Sequence, residues 1–194
     1  AADLASIRSA SDGTTTVDIR DSSDGALLRR MNYLTSAFTA KGGAALPDLD
    51  GNGARELAVL AVRNSDGRGV IEIRNMSGDE IPRLIWLTAG FLPRKILPLY
   101  DADGNGVAEL AVLMEKVIDG SVMVEIRNAF GETGDRQLWF EPFTTAHDMV
   151  VLDPFASEPG VSRIAVLLSQ FSNSFGLVQT KKPFGATSPT TVRM

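Results

Sequence analysis

A ten-residue segment that occurs twice, 53 positions apart, is the strongest constraint on the fold of this chain. Residues 48–57 read DLDGNGAREL and residues 101–110 read DADGNGVAEL. A second series, at residues 17–20, 71–74, 124–127 and 178–181, recurs with nearly the same spacing. About four units of 53 residues therefore divide the chain, and this repeat predicts an architecture built from successive copies of one motif.

Each unit alternates apolar and polar residues over short stretches, as in residues 70–74 (VIEIR) and 122–126 (VMVEI). A period of two is typical of strands that are half-buried in a sheet. Asp-Gly dipeptides separate several of these stretches, and they suit tight hairpin turns because glycine tolerates positive φ angles. No stretch of ten or more residues has helical periodicity, so the sequence predicts an all-β protein.

Four strands can be placed within one unit, at residues 95–100, 110–115, 122–127 and 136–140. A four-stranded antiparallel meander that recurs at this period is typical of a β-propeller blade. A β-solenoid is the competing repeat fold, but its turns are shorter and lack repeated tight hairpins. We expect a single propeller segment over residues 1–194, with repeat units 3–55, 56–108, 109–162 and 163–194.

Four full units would need more residues than the chain has, and the shortfall is about one innermost strand with its loop. We therefore expect a partial propeller of about fifteen strands. The sequence leaves two explanations open. Further blades of a longer protein complete the ring, or the chain completes it by self-association.

Oxygen donors occupy alternate positions of both repeated loops, which is the spacing that a wound calcium loop requires. Calcium takes six to eight oxygen ligands from carboxylates, amides, backbone carbonyls and water. The predicted ligands are the side chains at positions one, three, five and nine and the backbone carbonyl at position seven. They are Asp48, Asp50, Asn52, Ala54 and Glu56 in one loop, and Asp101, Asp103, Asn105, Val107 and Glu109 in the other.

The other two copies of the loop lack this donor set. Residues 153–160 keep the leading Asp153 but lack oxygen donors at the other ligand positions. Asp3 aligns with the acid at the ninth position, but the earlier residues of that loop are absent from the sequence. We therefore predict two calcium ions and not four. An acidic turn without an ion is the simpler alternative, and a half EF-hand would need flanking helices and a glutamate at position twelve.

These loops, with the apolar strand after each, resemble the FG-GAP repeats of integrin α chains and the related bacterial VCBS-type repeats. In those repeats the loop Asp-x-Asp/Asn-x-Asp/Asn-Gly-x-x-Asp joins the first two strands of a propeller blade. The resemblance covers the chain through its period, and Glu56 and Glu109 depart from it because the family usually has aspartate there. It implies a calcium-stabilised binding or adhesion module of a secreted or cell-surface protein, with a periplasmic location as an alternative.

Composition narrows the expected partners. The net charge of −5 and the pI near 4.9 argue against a nucleic-acid surface. No apolar run has the roughly 18 residues of a membrane span, and the absence of cysteine excludes disulfides and thiolate metal sites. We expect a protein or glycan ligand, with no nucleic acid and no membrane insertion.

Other chemistry-bearing residues have simpler interpretations. His147 is the only histidine, and because no serine flanked by glycines accompanies it, it does not predict catalysis. Tyr33, Trp86 and Trp139 recur 53 positions apart, and because each lies inside an apolar strand, packing between blades is favoured over sugar stacking. The recurring arginines suit solvent-facing strand positions, with a ligand-binding set as the alternative. We expect no enzyme activity in this segment; a lectin-like propeller and the accessory propeller of a polysaccharide-active enzyme remain alternative functions.

Overall fold

A computed structural model describes residues 3–77, 82–131, 136–152, 162–170, 176–184 and 190–193. The regular structure of these residues consists of fifteen β-strands, and no helix occurs among them. This confirms the predicted all-β class. Within the described part of the chain, no helix has the length and apolar character needed to cross a membrane.

The strands form four antiparallel sheets in which neighbours in sequence are neighbours in the sheet. The first sheet contains β1 (Leu4–Ser9), β2 (Thr15–Arg20) and β3 (Leu27–Tyr33). The second contains β4 (Phe38–Ala45), β5 (Glu56–Arg63), β6 (Gly69–Asn75) and β7 (Arg83–Trp86). The third contains β8 (Phe91–Leu99), β9 (Glu109–Lys116), β10 (Val122–Asn128) and β11 (Arg136–Trp139). The fourth contains β12 (Thr144–Leu152), β13 (Arg163–Gln170), β14 (Gly176–Lys181) and β15 (Thr190–Arg193).

The meanders match the strand pattern predicted for one unit, and one strand end differs by more than one residue. The predicted strand at residues 95–100 begins earlier, at Phe91. Its start is obscured in the sequence by Pro93 and by a bulge at residue 94, where the pairing register shifts. A bulge inserts an unpaired residue and breaks the alternation that identifies a strand. The four-stranded sheets begin one strand before the boundaries of the repeat units drawn from the sequence.

Two compact units contain these sheets, Ala1–Ala89 and Gly90–Met194. In the first unit, Val17 and Ile19 of the first sheet pack with Leu57 and Val59 of the second in one buried cluster. In the second unit, the third and fourth sheets bury a corresponding cluster that includes Val124 and Val166. Each unit therefore consists of two sheets with a shared apolar core, which is the minimum that buries one face of each sheet.

Candidate metal centre

The two repeated loops each join the first two strands of a four-stranded sheet. Residues 46–55 lie between β4 and β5, and residues 100–108 lie between β8 and β9. The ninth loop position is the first residue of the following strand, where Glu56 pairs with Asn75 and Glu109 pairs with Asn128. The glutamates at the ninth position are therefore held by the hydrogen bonds of the sheet, whereas the aspartates belong to the loops.

Backbone amides that turn inward hold the first loop in a tight winding. Asp48 accepts hydrogen bonds from the backbone N–H groups of Gly51 and Gly53, both at 2.8 Å. Asp50 Oδ1 accepts from the N–H of Asn52 at 3.0 Å. Gly51 and Gly53 have φ angles of 78° and 87°, which the winding requires and which glycine adopts without steric cost.

The second loop repeats most of this geometry. Asp101 Oδ1 accepts from the N–H of Gly106 at 2.9 Å, and Asp103 Oδ1 accepts from the N–H of Asn105 at 3.1 Å. The φ angles of Gly104 and Gly106 are 81° and 85°. Because the glycine torsions and two of the three hydrogen bonds recur 53 residues later, the winding is a feature of the repeated loop sequence.

Three carboxylates converge in each loop. In one, Asp48, Asp50 and Glu56 each place a carboxylate oxygen within 4.8 Å of the others. Asp101, Asp103 and Glu109 form the same arrangement in the other. Among the described residues, these are the two groups of acidic or histidine side chains with this geometry. The spacing read from the sequence therefore brings the first, third and ninth positions together.

The glutamates differ from the aspartates because they are buried. Glu56 is 3% exposed and Glu109 is 1% exposed. In each, Oε2 accepts a backbone N–H, from Leu49 at 2.8 Å and from Ala102 at 2.7 Å, while Oε1 is buried without a hydrogen-bond partner. Buried polar atoms are nearly always paired, so an unpaired carboxylate oxygen beside two other carboxylates indicates room for a cation.

Burial and like charge disfavour the ionised form of both glutamates. The pKa of Glu109 is raised to about 7, mainly by burial and also by the neighbouring carboxylates of Asp103 and Asp101, against the opposing hydrogen bond from Ala102. The pKa of Glu56 is raised in the same way, first by burial and then by Asp50 and Asp48. A cation at the centre of each cluster would reverse this effect, since an opposite charge stabilises the carboxylate.

The structure describes the other predicted ligands but does not test whether they bind a metal ion. Asn52 Oδ1 accepts the N–H of Ala54 at 2.8 Å, and Asn105 Oδ1 accepts the N–H of Val107 at 2.8 Å. Their role as ligands, and that of the Ala54 and Val107 carbonyls, stays a prediction. Residues 153–160 lie outside the described residues, so the predicted loss of that site is also untested.

His147 lies in a bulge that every four-stranded sheet contains. The pairing of β12 with β13 shifts between Ala146 and Asp148, as that of β4 with β5 and of β8 with β9 shifts at Lys41 and Arg94. His147 Nε2 lies 2.7 Å from Ser169 Oγ on the neighbouring strand. Because basic side chains occupy the same bulge in all three sheets, the position of His147 follows from the repeat.

The three recurring aromatic residues are not structurally equivalent. Tyr33 pairs with Thr15 in the first sheet, and Trp86 pairs with Val70 in the second. In the repeat Val70 corresponds to Thr16 and not to Thr15, so the two aromatic residues are one position out of step. Tyr33 is therefore on the opposite face, 2% exposed, with its hydroxyl donating to the Leu57 carbonyl at 3.1 Å. Its packing role is confirmed.

Trp86 is covered by two guanidinium groups, those of Arg63 and Arg68, at 4.8 and 5.2 Å from the ring centroid. Trp139 is 45% exposed, with Phe91 at 5.8 Å between ring centroids. Lys116 and Ser121 occupy the positions of those arginines in the third sheet, so these two positions provide no guanidinium group over Trp139.

A series of buried polar residues at the centre of each sheet was not recognised from the sequence. Asp18, Glu72, Glu125 and Gln179 are each at most 3% exposed. Glu72 Oε2 accepts the N–H of Leu34 at 2.7 Å, and Gln179 Oε1 accepts the N–H of Glu141 at 2.9 Å. Each of these two bonds joins a sheet to the segment that follows the last strand of the preceding sheet. The sequence contains a signal for these residues, because the second position of the repeated segments at 17–20, 71–74 and 124–127 is acidic in each copy.

Comparison of the chain with models of protein families, with curated proteins and with solved structures gave no match. The resemblance to the FG-GAP and VCBS-type repeats therefore rests on the loop residues and on their spacing.

Proposed function

We propose that this chain is a calcium-stabilised β-propeller segment that serves as a binding or adhesion module of a secreted or cell-surface protein. The observation that carries the proposal is the pair of three-carboxylate clusters, each closed by a buried glutamate with an unpaired oxygen. The four-stranded meanders at a period of 53 residues support the propeller. The adhesion role rests on the family resemblance.

Calcium fits the donor chemistry better than other common metals. The clusters offer oxygen atoms only, which suits hard cations, whereas zinc and copper favour nitrogen and sulfur ligands. Wound loops of this kind can supply the six to eight oxygens at irregular angles that calcium accepts, while magnesium demands a near-octahedral shell. A cation would also offset the repulsion among three carboxylates whose atoms lie within 4.8 Å.

Thermal unfolding with calcium and with a chelator tests this proposal. An ion that binds only the folded state at one hundred times its dissociation constant adds about 2.7 kcal/mol per site, or roughly 5–10 °C for a chain of this size. We expect a rise of this order in calcium and none in a variant with both Asp50→Ala and Asp103→Ala.

The matched control is Asp24→Ala, which removes an exposed acid from a hairpin turn where its Oδ1 accepts the N–H of Ala26. This variant should keep the full calcium-dependent rise. Identical melting curves of the unmodified protein in calcium and in chelator would refute the calcium sites, and an equal response of all three proteins would move the binding elsewhere.

A further inference from the structure

One face of the first sheet differs in chemistry from the corresponding face of the second sheet. Val17 and Ile19 point from β2 into the apolar core of the first unit. Side chains alternate along a strand, so Thr16, Asp18 and Arg20 point to the opposite face. The pairing places Arg8 and Asn32 beside Thr16, and Arg30 beside Asp18, on that same face. We call these six residues the arginine face.

Asp18 is the centre of the arginine face. Its side chain is fully buried, and three guanidinium groups surround it. Arg30 binds both carboxylate oxygens, through Nε at 2.7 Å and Nη2 at 3.1 Å. Arg20 Nη2 lies 3.5 Å from Oδ2, and Arg8 donates to the same oxygen. One carboxylate thus holds three cations in fixed positions.

The second sheet has apolar residues where the arginine face has polar ones. Glu72 corresponds to Asp18, and the strand pairing then matches Leu84 to Arg30. The neighbouring row of the second sheet is Ala61, Val70 and Trp86, and that of the first sheet is Arg8, Thr16 and Asn32. Four positions change from apolar to polar on one face, so the repeat alone does not account for the arginine cluster.

The arginine face carries a local positive charge in an acidic protein. Three arginines against one aspartate leave a formal excess of two positive charges, while the whole chain has a net charge of −5. The side chains of Arg8, Arg20 and Arg30 are 52%, 39% and 53% exposed. Asp18 takes the Nε–Nη2 edge of Arg30. Arg20 also donates from Nη1 to the Gly25 carbonyl at 2.8 Å. The remaining N–H groups of the three guanidinium groups suit charge-assisted hydrogen bonds to a further carboxylate.

We propose that the arginine face binds the carboxylate groups of an acidic polysaccharide, a chain that contains uronic acid residues. Arg8, Arg20 and Arg30 contact the carboxylate, and Asp18 is the positioning residue that holds them. The hydroxyl of Thr16 and the amide of Asn32 offer hydrogen bonds to sugar hydroxyls on the same face. Asn32 stands where the second sheet has Trp86, so the face lacks the stacking platform that single-stranded nucleic acid uses. This inference does not depend on the calcium loops.

Titration calorimetry with a uronate hexasaccharide tests the proposal, with its carboxyl-reduced counterpart as the ligand control. We expect the acidic sugar to bind with an affinity that falls as salt is added, because exposed charges are screened. The reduced sugar should bind at least about tenfold more weakly, since a hydrogen bond to a charged group contributes roughly 1.5–3 kcal/mol.

Two neighbouring arginines provide matched protein variants. Arg30→Gln removes a charge from the arginine face and should lower the affinity by about tenfold or more. Arg29→Gln removes the same charge from the same strand, but Arg29 pairs with Ile19, whose side chain points to the other face. It should change the affinity less than about twofold. If Arg30→Gln does not fold, Arg8→Gln provides the same test from β1.

Several results would overturn the proposal. They are equal binding of the acidic and reduced sugars, equal effects of Arg30→Gln and Arg29→Gln, and no binding at millimolar sugar. Tighter binding of a polyglutamate peptide or of single-stranded DNA than of the hexasaccharide would assign the face to another class of partner and would also contradict it. The calcium-dependent melting curves are measured without sugar, so failure of one proposal leaves the other unaffected.

Discussion

Glu109 and Glu56 are the residues on which the metal assignment depends. Both are buried beside two aspartates, and each has one oxygen without a partner. Without a cation, the ionised carboxylate loses hydration and is repelled by its neighbours, which lowers the free energy of unfolding. The same carboxylate contributes favourably once a cation binds. A single substitution should therefore have opposite effects in the two conditions.

We predict that Glu109→Gln raises the melting temperature in chelator and reduces the stabilisation by calcium. The amide keeps the size of the side chain and can still accept the N–H of Ala102, but it carries no charge to desolvate. The gain in chelator should be on the order of 1–3 kcal/mol near pH 8, or roughly 2–4 °C for each kcal/mol. Thermal melts in both conditions measure it.

The control for this substitution is Glu115→Gln on the same strand, which removes an ion pair with Arg94 at 2.8 Å. The Arg94 side chain is 52% exposed, and ion pairs that solvent reaches in this way contribute about 0–1 kcal/mol. This variant should therefore leave the calcium response unchanged. Loss of stability of Glu109→Gln in chelator would contradict the interpretation of Glu109 as an unfavourable buried charge.

The pH dependence of stability follows from the same residue. The pKa of Glu109 is about 7 in the folded protein, against an ordinary value of 4.5. Between these values the folded state binds more protons than the unfolded state, so the free energy of unfolding falls as pH rises. In chelator we predict maximal stability at the acidic end of this window and a decline toward pH 8, measured by chemical denaturation.

Calcium should reverse this trend, because the ion competes with the proton and its stabilising effect increases with pH. Glu109→Gln should flatten the decline in chelator. The pKa of Asp66 is lowered to about 2 by Arg63, so the stability due to that pair is lost only at more acidic pH, as the pH falls through that value. A stability in chelator that rises between pH 5 and pH 8 would contradict the prediction.

At the scale of strands and sheets, two adjacent glycines in β4 differ in whether they leave space for a side chain. A Cβ atom on Gly43 would lie 2.7 Å from Ile7 Cδ1 and 2.8 Å from the Ala58 carbonyl oxygen. A Cβ atom on Gly42 would meet nothing within 4 Å. The second contact of Gly43 is with the backbone of β5, which cannot move without disturbing the sheet. Gly43 therefore allows β1 to approach β4, and Gly42 does not.

We predict that Gly43→Ala destabilises the protein by about 1–3 kcal/mol, the usual cost of overpacking. Gly42→Ala should be neutral or stabilising by up to about 1 kcal/mol, because alanine loses less backbone freedom on folding. Denaturant unfolding of both variants measures the difference. Equal effects of the two substitutions would show that the close approach of β1 and β4 does not occur.

The sequence predicted the positions of strands to within one residue where no bulge interrupts the strand. The second and third strands of the third sheet were expected at residues 110–115 and 122–127 and are observed at Glu109–Lys116 and Val122–Asn128. The bulges at Lys41, Arg94 and His147 could not be foreseen, since each insertion breaks the period that identifies the strand. The structural difference between Tyr33 and Trp86 could not be foreseen for a similar reason. One more residue separates Asp18 from Tyr33 than separates Glu72 from Trp86, and the added residue turns Tyr33 to the opposite face of its sheet.

At the scale of the whole molecule, the repeat predicted the all-β class and the succession of meanders, because a strict period requires each unit to form the same local structure. The convergence of the Asp48, Asp50 and Glu56 carboxylates was also predictable from spacing alone. The unpaired glutamate oxygens were not, since they depend on burial by the surrounding sheets. The arginine face was missed because its residues come from three strands that only the register brings together.

Direct counting of bound calcium tests the central claim most directly. Equilibrium dialysis or titration calorimetry of the chelator-treated chain should give two ions per chain, one after Asp50→Ala or Asp103→Ala, and none after both. A stoichiometry that is zero in the unmodified chain, or that is unchanged in the double variant, would contradict the assignment of these two loops as calcium sites.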